Sequence, residues 1–200
     1  MNNVLLATVY DAVLAPTEWM GVRAQRRRLM EGLDGRLLEM AAGTGLNVPF
    51  YPATATEIHA VEPDRYMLAK LRSKAATQPP SAPLFIYQGD ALHLPFADGV
   101  FDGAVITFAL CTIPDPTRAL DETHRVVRAG GVLRFLEHVR SSKEQTARWQ
   151  DRIAPVWRRF SGGCRLNQPT VEVLEATRWE VDDLWRSGGG SVVAGQAFRA

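Results

Sequence analysis

Apolar and amphipathic stretches alternate along this chain from Arg36 onward, at the spacing expected of strand–helix–strand units. Arg36–Ala42 reads as a buried strand opening into a glycine turn, and Glu57–Val61 as a second strand. Asp64 can cap a helix running to about Ala75, and a Pro/Ser/Ala loop spans Gln78–Pro83. Leu84–Tyr87 predicts a third strand. Phe101–Phe108, almost wholly apolar, predicts a fourth, covered on both faces. A helix over Pro116–Arg128 should end at Gly130-Gly131, before a fifth strand over Val132–Val139. Such alternation implies a doubly wound parallel sheet with helices on both faces.

The flanks read differently. Pro16–Glu31 predicts one helix, with Thr17 as its cap and Arg26-Arg27-Arg28 on a solvated face. The apolar segment Val4–Leu14 has no basic leader and is interrupted by Asp11, so it does not read as a signal peptide. Ser141–Phe160 is rich in arginine and tryptophan, with Trp149, Ile153, Trp157 and Phe160 on one helical face. Pro155 should kink or split that helix near Ala154. Pro169–Thr177 reads as another helix. Trp179–Trp185 and Ser191–Phe198, joined by three glycines, predict a C-terminal antiparallel pair.

Composition narrows the function classes. Two hundred residues suit one domain, and a net charge of +1 gives no global field for nucleic acid or an anionic surface. No stretch reaches the length of a membrane span. Cys111 and Cys164 lie far apart with no CxxC spacing, which argues against a metal site or a disulfide scaffold and suits a reducing, cytoplasmic setting.

Four features fall at successive predicted strand ends, where doubly wound sheets bind ligands. Gly43 and Gly45, after Glu39 and Ala41, allow close approach of a ligand to backbone N–H groups. Glu62, followed by Pro63, is placed to accept both hydroxyls of a ribose. Gly89-Asp90-Ala91 is suited to an adenine edge. Thr107–Cys111, with Leu110, would lie beside the reacting group. The third glycine of a dinucleotide fingerprint is missing, since Leu46 occupies its place. The acidic Glu39 also suits a cationic ligand better than a pyrophosphate.

Those stretches resemble the class I methyltransferases that use S-adenosylmethionine (SAM). Leu38–Asn47 is similar to their first motif, with Ala41 where glycine is usual, and Gly89–Leu92 to their adenine-side motif. Gly45–Pro52, Ala109–Ile113, Phe135–Val139 and Gly163–Leu166 are similar to the thiol methyltransferases of animals and their bacterial relatives. The resemblance implies a Rossmann-like α/β fold in one domain over residues 1–200. Residues 1–34 would form an N-terminal cap and 141–168 a lid. SAM would be held by Tyr10, Glu39, Ala41, Gly43, Gly45, Asn47, Glu62, Pro63, Asp90, Ala91, Leu92 and Thr107. Leu110, Cys111, Trp149, Trp157 and Cys164 would line the acceptor site. His138 is a candidate general base, and a structural role at the strand end is its alternative. The acceptor expected is a small apolar or aromatic molecule, a thiol by preference, with oxygen, nitrogen or carbon as alternatives. A non-catalytic module or a nicotinamide-dependent oxidoreductase is a remaining reading.

Overall fold

The computed structural model describes residues 4–200. Its centre is a seven-stranded sheet. Strands β1 (Gly35–Met40), β2 (Ala55–Glu62), β3 (Leu84–Gln88), β4 (Phe101–Thr107) and β5 (Val127–His138) are mutually parallel, and β6 (Trp179–Ser187) and β7 (Val192–Arg199) complete it. The order is β3-β2-β1-β4-β5-β7-β6, with β7 antiparallel to both of its neighbours. The central strands are covered on both sides. Leu38, Met40, Ala104 and Ile106 pack into one apolar cluster, Leu37 and Val105 into another. That two-sided cover is why β4 reads as a continuous apolar run rather than an alternating one.

Helices α3 (Arg65–Thr77) and α4 (Pro116–Val126) begin as the sequence predicts. Asp64 accepts the N–H groups of Tyr66 and Met67 at 2.8 and 3.1 Å, and Asp115 accepts that of Arg118 at 3.0 Å. Strand β5 departs from expectation. It starts at Val127, so Gly130-Gly131 lie within it rather than after a helix. A register shift of β5 against β4 occurs beside them. A Cβ at Gly131 would stand 2.8 Å from the Asp102 carbonyl oxygen, so this bulge needs glycine for close approach.

The N-terminal region is three pieces rather than one helix. Helix α1 (Val4–Thr17) is followed by a wide turn, Glu18–Val22, and then by α2 (Arg23–Met30). Gly21, at φ +127°, separates them. Thr17 is helical and caps nothing; its hydroxyl donates to the Leu14 carbonyl at 2.8 Å. Asp11 ties α1 to the body, pairing with Lys74 of α3 at 3.0 Å and accepting the Thr44 hydroxyl.

Helix α5 (Glu144–Phe160) runs through Pro155 without a break. Proline costs the bond to the Asp151 carbonyl, but both residues are on the exposed side of the helix, where solvent can take the place of that donor. The predicted apolar stripe faces outward: Trp149 and Phe160 are 62% and 77% exposed. The buried face is Ala147, Gln150 and Ala154. Gln150 anchors it, donating to the Val139 and Leu166 carbonyls at 2.9 and 2.8 Å and accepting the Ser141 N–H at 2.8 Å. A short helix α6 (Thr170–Glu175) leads into the terminal pair. No helix among the described residues is long and apolar enough to cross a membrane.

Candidate active site

A cavity of about 360 Å³ opens at the carboxyl ends of β1, β2 and β4, around the point where the strand order reverses. Its floor is the turn after β1. Ala41 and Gly43 have φ of +54° and +59°, so Ala41 holds a left-handed conformation that suits glycine better. An added Cβ at Gly43 would meet nothing within 4 Å, so the turn presents bare backbone to the cavity. Gly45 plays another part: its Cβ would stand 2.6 Å from Leu71 Cδ1, so it lets α3 pack against the turn.

Glu62 ends β2 and is 6% exposed. Its Oε2 accepts the Gly43 N–H at 2.8 Å and its Oε1 the Asp64 N–H at 2.9 Å, each oxygen keeping a lone pair for a ligand hydroxyl. Burial raises its pKa above the ordinary carboxylate value, and the two backbone donors oppose that. Pro63, Asp90 and Ala91 complete this wall. Asp90 Oδ1 also accepts the Leu92 N–H at 2.9 Å, while Leu92 itself packs into the core.

At the β4 end stand Thr107, Phe108, Ala109, Thr112, Ile113 and Pro114, with Tyr10 from α1 and Ser161-Gly162 from the end of α5. Burial pushes the Tyr10 hydroxyl well above its ordinary value, so it stays protonated. Arg26 also lines the cavity and is 4% exposed, not part of a solvated face. Its guanidinium donates to Glu18 at 2.9 Å, Asn47 at 3.0 Å and Thr107 at 3.3 Å. A buried arginine directly beside the exposed Arg27 and Arg28 carries no sequence signal except its helical phase.

Eight of the twelve predicted cofactor residues therefore meet at one cavity, and Glu39, Gly45, Asn47 and Leu92 stand behind its wall. Glu39 is buried beneath the turn, accepting Asn47 Nδ2 at 2.7 Å and the Tyr51 hydroxyl. Burial pushes it up to about 7. Asn47 passes this contact on to Arg26 and to Thr107 at 2.9 Å.

Of the predicted acceptor residues and the candidate base, none lines the cavity. Trp149 points to solvent and Trp157 is 38% exposed. Leu110, Cys111 and Cys164 are buried one layer behind it. The fold brings the two cysteines together despite their sequence separation: their sulfurs are 3.6 Å apart, and His138 Nδ1 is 3.5 Å from Cys164 Sγ and 3.8 Å from Cys111 Sγ. Within the pair, hydrogen bonds from the Cys111 thiol and from His138 drive Cys164 toward thiolate, while Cys111 is held as a thiol. The loop carrying Cys111 is clamped. Buried Glu137 accepts the N–H groups of Ala109, Leu110 and Cys111 at 2.7, 2.9 and 3.2 Å. Burial raises Glu137 to about 7 against the pull of those donors.

Residues 38–135 match the family model described as a methyltransferase domain. The chain is 33% identical over 174 residues to human thiol S-methyltransferase TMT1B, covering 82% of this chain and 71% of that protein. The chain belongs to the class I SAM-dependent methyltransferases. This methyltransferase is also 32% identical over 144 residues to human thiol S-methyltransferase TMT1A, spanning 70% of itself and 57% of that relative. A demethylmenaquinone methyltransferase of Parafrankia sp. (strain EAN1pec) matches at 31% over 172 residues, covering 79% of this chain and 59% of the relative. In fold it is similar to geranyl diphosphate C-methyltransferase from Streptomyces coelicolor A3(2) bound to S-adenosyl-L-homocysteine. That likeness has a TM-score of 0.70 at 13% identity, over 89% of this chain and 76% of the other. The cofactor of this methyltransferase is SAM, and the bare turn at Gly43 beside the Glu62 carboxylate fits a nucleoside.

Proposed function

We propose that this methyltransferase transfers the methyl group of SAM to the sulfur of a small apolar or aromatic thiol. The observation that carries the reading is the makeup of the cavity's β4 end. Phe108, Ala109, Thr112, Ile113, Pro114, Ser161 and Gly162 supply apolar surface and hydroxyls, and none of them is a carboxylate or an imidazole. An acceptor bound there must be nucleophilic without a neighbouring base, and a thiol meets that condition because its thiolate is populated near neutral pH. The identity to thiol S-methyltransferases supports the same acceptor.

SAM supplies an electrophilic methyl on a sulfonium. Glu62 would hold the ribose hydroxyls, Asp90 and Ala91 the adenine side, and the turn Ala41–Thr44 the amino-acid portion. Tyr10, Arg26 and Phe108 close the cavity over them, which excludes water and orients the acceptor. Orientation of acceptor sulfur, methyl and leaving sulfur in line contributes most of the acceleration. The quinone-pathway relative keeps a carbon acceptor as the second reading. A panel of aryl and alkyl thiols, phenols, quinols and amines, assayed with methyl-labelled SAM, tests it. Label in thiols is expected; label only in quinols or phenols would overturn the sulfur reading.

A further inference from the structure

We propose that Cys111, Cys164 and His138 form a zinc site whose fourth coordination position receives the sulfur of the acceptor thiol. The donor atoms of these three side chains form a triangle. The separations are 3.6 Å between the sulfurs and 3.5 and 3.8 Å from each sulfur to His138 Nδ1. A tetrahedral zinc, with bonds of about 2.3 Å to sulfur and about 2.0–2.1 Å to nitrogen, sets sulfur–sulfur spacings near ~3.8 Å and sulfur–nitrogen spacings near ~3.6 Å. One ion therefore fits between these three atoms with little movement of any of them.

The charges agree with the geometry. Two thiolates buried together are costly, and one divalent ion cancels both. Soft sulfur donors with one imidazole are the ligand set zinc favours. The outer contacts are also in place. Glu137 holds the backbone of the Cys111 loop from one side. Arg165, next to Cys164, holds it from the other: its backbone N–H donates to the Cys111 carbonyl at 2.8 Å, and its guanidinium donates to the Ile113 carbonyl. Such fixing keeps donor atoms in position before a metal arrives.

Three protein ligands leave one tetrahedral position, the arrangement of catalytic rather than structural zinc. The cluster adjoins the cavity. Thr112 follows Cys111, Gly162 precedes the Cys164 turn, and both line it. The Phe108 ring, also on the wall, lies 4.5 Å from the His138 ring between centres. An acceptor thiol entering past Phe108 would lose its proton to solvent as its sulfur joins the metal. That sulfur then forms a bond to the methyl group as the sulfonium–methyl bond breaks, whose electron pair stays on the departing thioether. The methylated acceptor is also a neutral thioether, a weaker zinc ligand than the thiolate, and leaves.

The fourth-ligand part of this inference rests on the thiol reading; the metal site itself does not. The test is metal analysis and cobalt substitution of the whole protein. About one zinc per chain is expected after desalting. The cobalt form should show the visible bands of a tetrahedral site and a near-ultraviolet thiolate band. Cys111→Ser, Cys164→Ser and His138→Gln should each weaken metal binding on the order of 100-fold or more. Thermal melts of the metal-free forms check that each variant folds as the metal-free parent does. Adding an aryl thiol without SAM should strengthen the thiolate band. Absence of stoichiometric metal, a thiolate band that survives in the Cys111→Ser/Cys164→Ser double variant, or isolation of a Cys111–Cys164 disulfide that binds no metal would overturn the site. Thiol methylation at full rate by metal-free protein would overturn the fourth-ligand assignment while leaving the thiol reading intact. A metal-loaded protein whose spectrum ignores added thiols, and which methylates only other acceptors, would overturn the fourth-ligand assignment and the thiol reading together.

Discussion

The guanidinium of Arg26 lies 5.5 Å from the centre of the Phe108 ring, and both side chains line the cavity. Phe108 is at φ +51°, a conformation an aromatic residue adopts only when its surroundings hold it there. Its N–H donates to the Leu136 carbonyl at 2.7 Å, and its ring is held between Arg26 and His138. Arg26 thus joins the N-terminal segment, the turn after β1 and the end of β4. Arg26→Met should remove a buried charge-assisted network, costing about 1–3 kcal/mol of stability, and should weaken SAM binding as well. Denaturant unfolding and calorimetry together check this; a variant equal to wild type in both would show that Arg26 only fills space.

Glu62→Gln and Glu62→Ala separate charge from shape at the ribose wall. Loss of the carboxylate should weaken SAM by about 1–3 kcal/mol, with alanine the worse because the Gly43 and Asp64 N–H groups lose their acceptor too. Titration calorimetry at matched pH reads both variants. Unchanged affinity would remove Glu62 from the cofactor site.

Gly45→Ala should destabilise the fold by about 2–4 kcal/mol. The position combines φ of +80° with a Cβ only 2.6 Å from Leu71 Cδ1, so strain and overpacking act together. A melting temperature within a degree or so of wild type would mean that α3 shifts freely, contrary to its packing against the turn.

Glu39 gives stability a pH dependence whose sign is fixed. Its folded value lies near 7 against an ordinary 4.5, so between those limits the folded state binds more protons than the unfolded one. Stability from this group is complete below about 4.5 and falls as pH rises through about 7, by roughly 1–3 kcal/mol. Glu39→Gln keeps the contacts to Asn47 and Tyr51 and should flatten that slope. Denaturant midpoints from pH 5 to 8 read it; a slope unchanged by the substitution would assign the dependence to another group.

Local patterning revealed most of the sheet. Asp64 announced α3 because an N-cap is a property of adjacent residues, and the apolar run Phe101–Phe108 announced a strand buried on both faces. Positions whose meaning depends on distant partners stayed hidden. Arg26 reads as a surface arginine until Asn47 and Thr107 are brought beside it. Cys111 and Cys164 carry no spacing signature because the strand ends and the loop after α5, not the local chain, bring them together. The outward stripe of α5 misled in the opposite sense. Periodicity shows that Trp149, Ile153, Trp157 and Phe160 share a face, but the small residues Ala147 and Ala154 with Gln150 make the closer approach to the body.

Strand β7 lies between β5 and β6, so β6 has no hydrogen-bonded place in the sheet except through a strand that follows it in sequence. The parallel strands can assemble in chain order, but the last pair cannot. β6 joins the sheet only through β7, the second strand of the hairpin, which pairs with β5. Gly195 sits at that junction, where a Cβ would fall 2.2 Å from the Asp183 carbonyl oxygen, in the stretch where the register of β6 slips. A side chain there would act on late assembly rather than on the site: the hairpin would close poorly, and β5, whose end carries Glu137 and His138, would be left as an open edge able to pair with another chain.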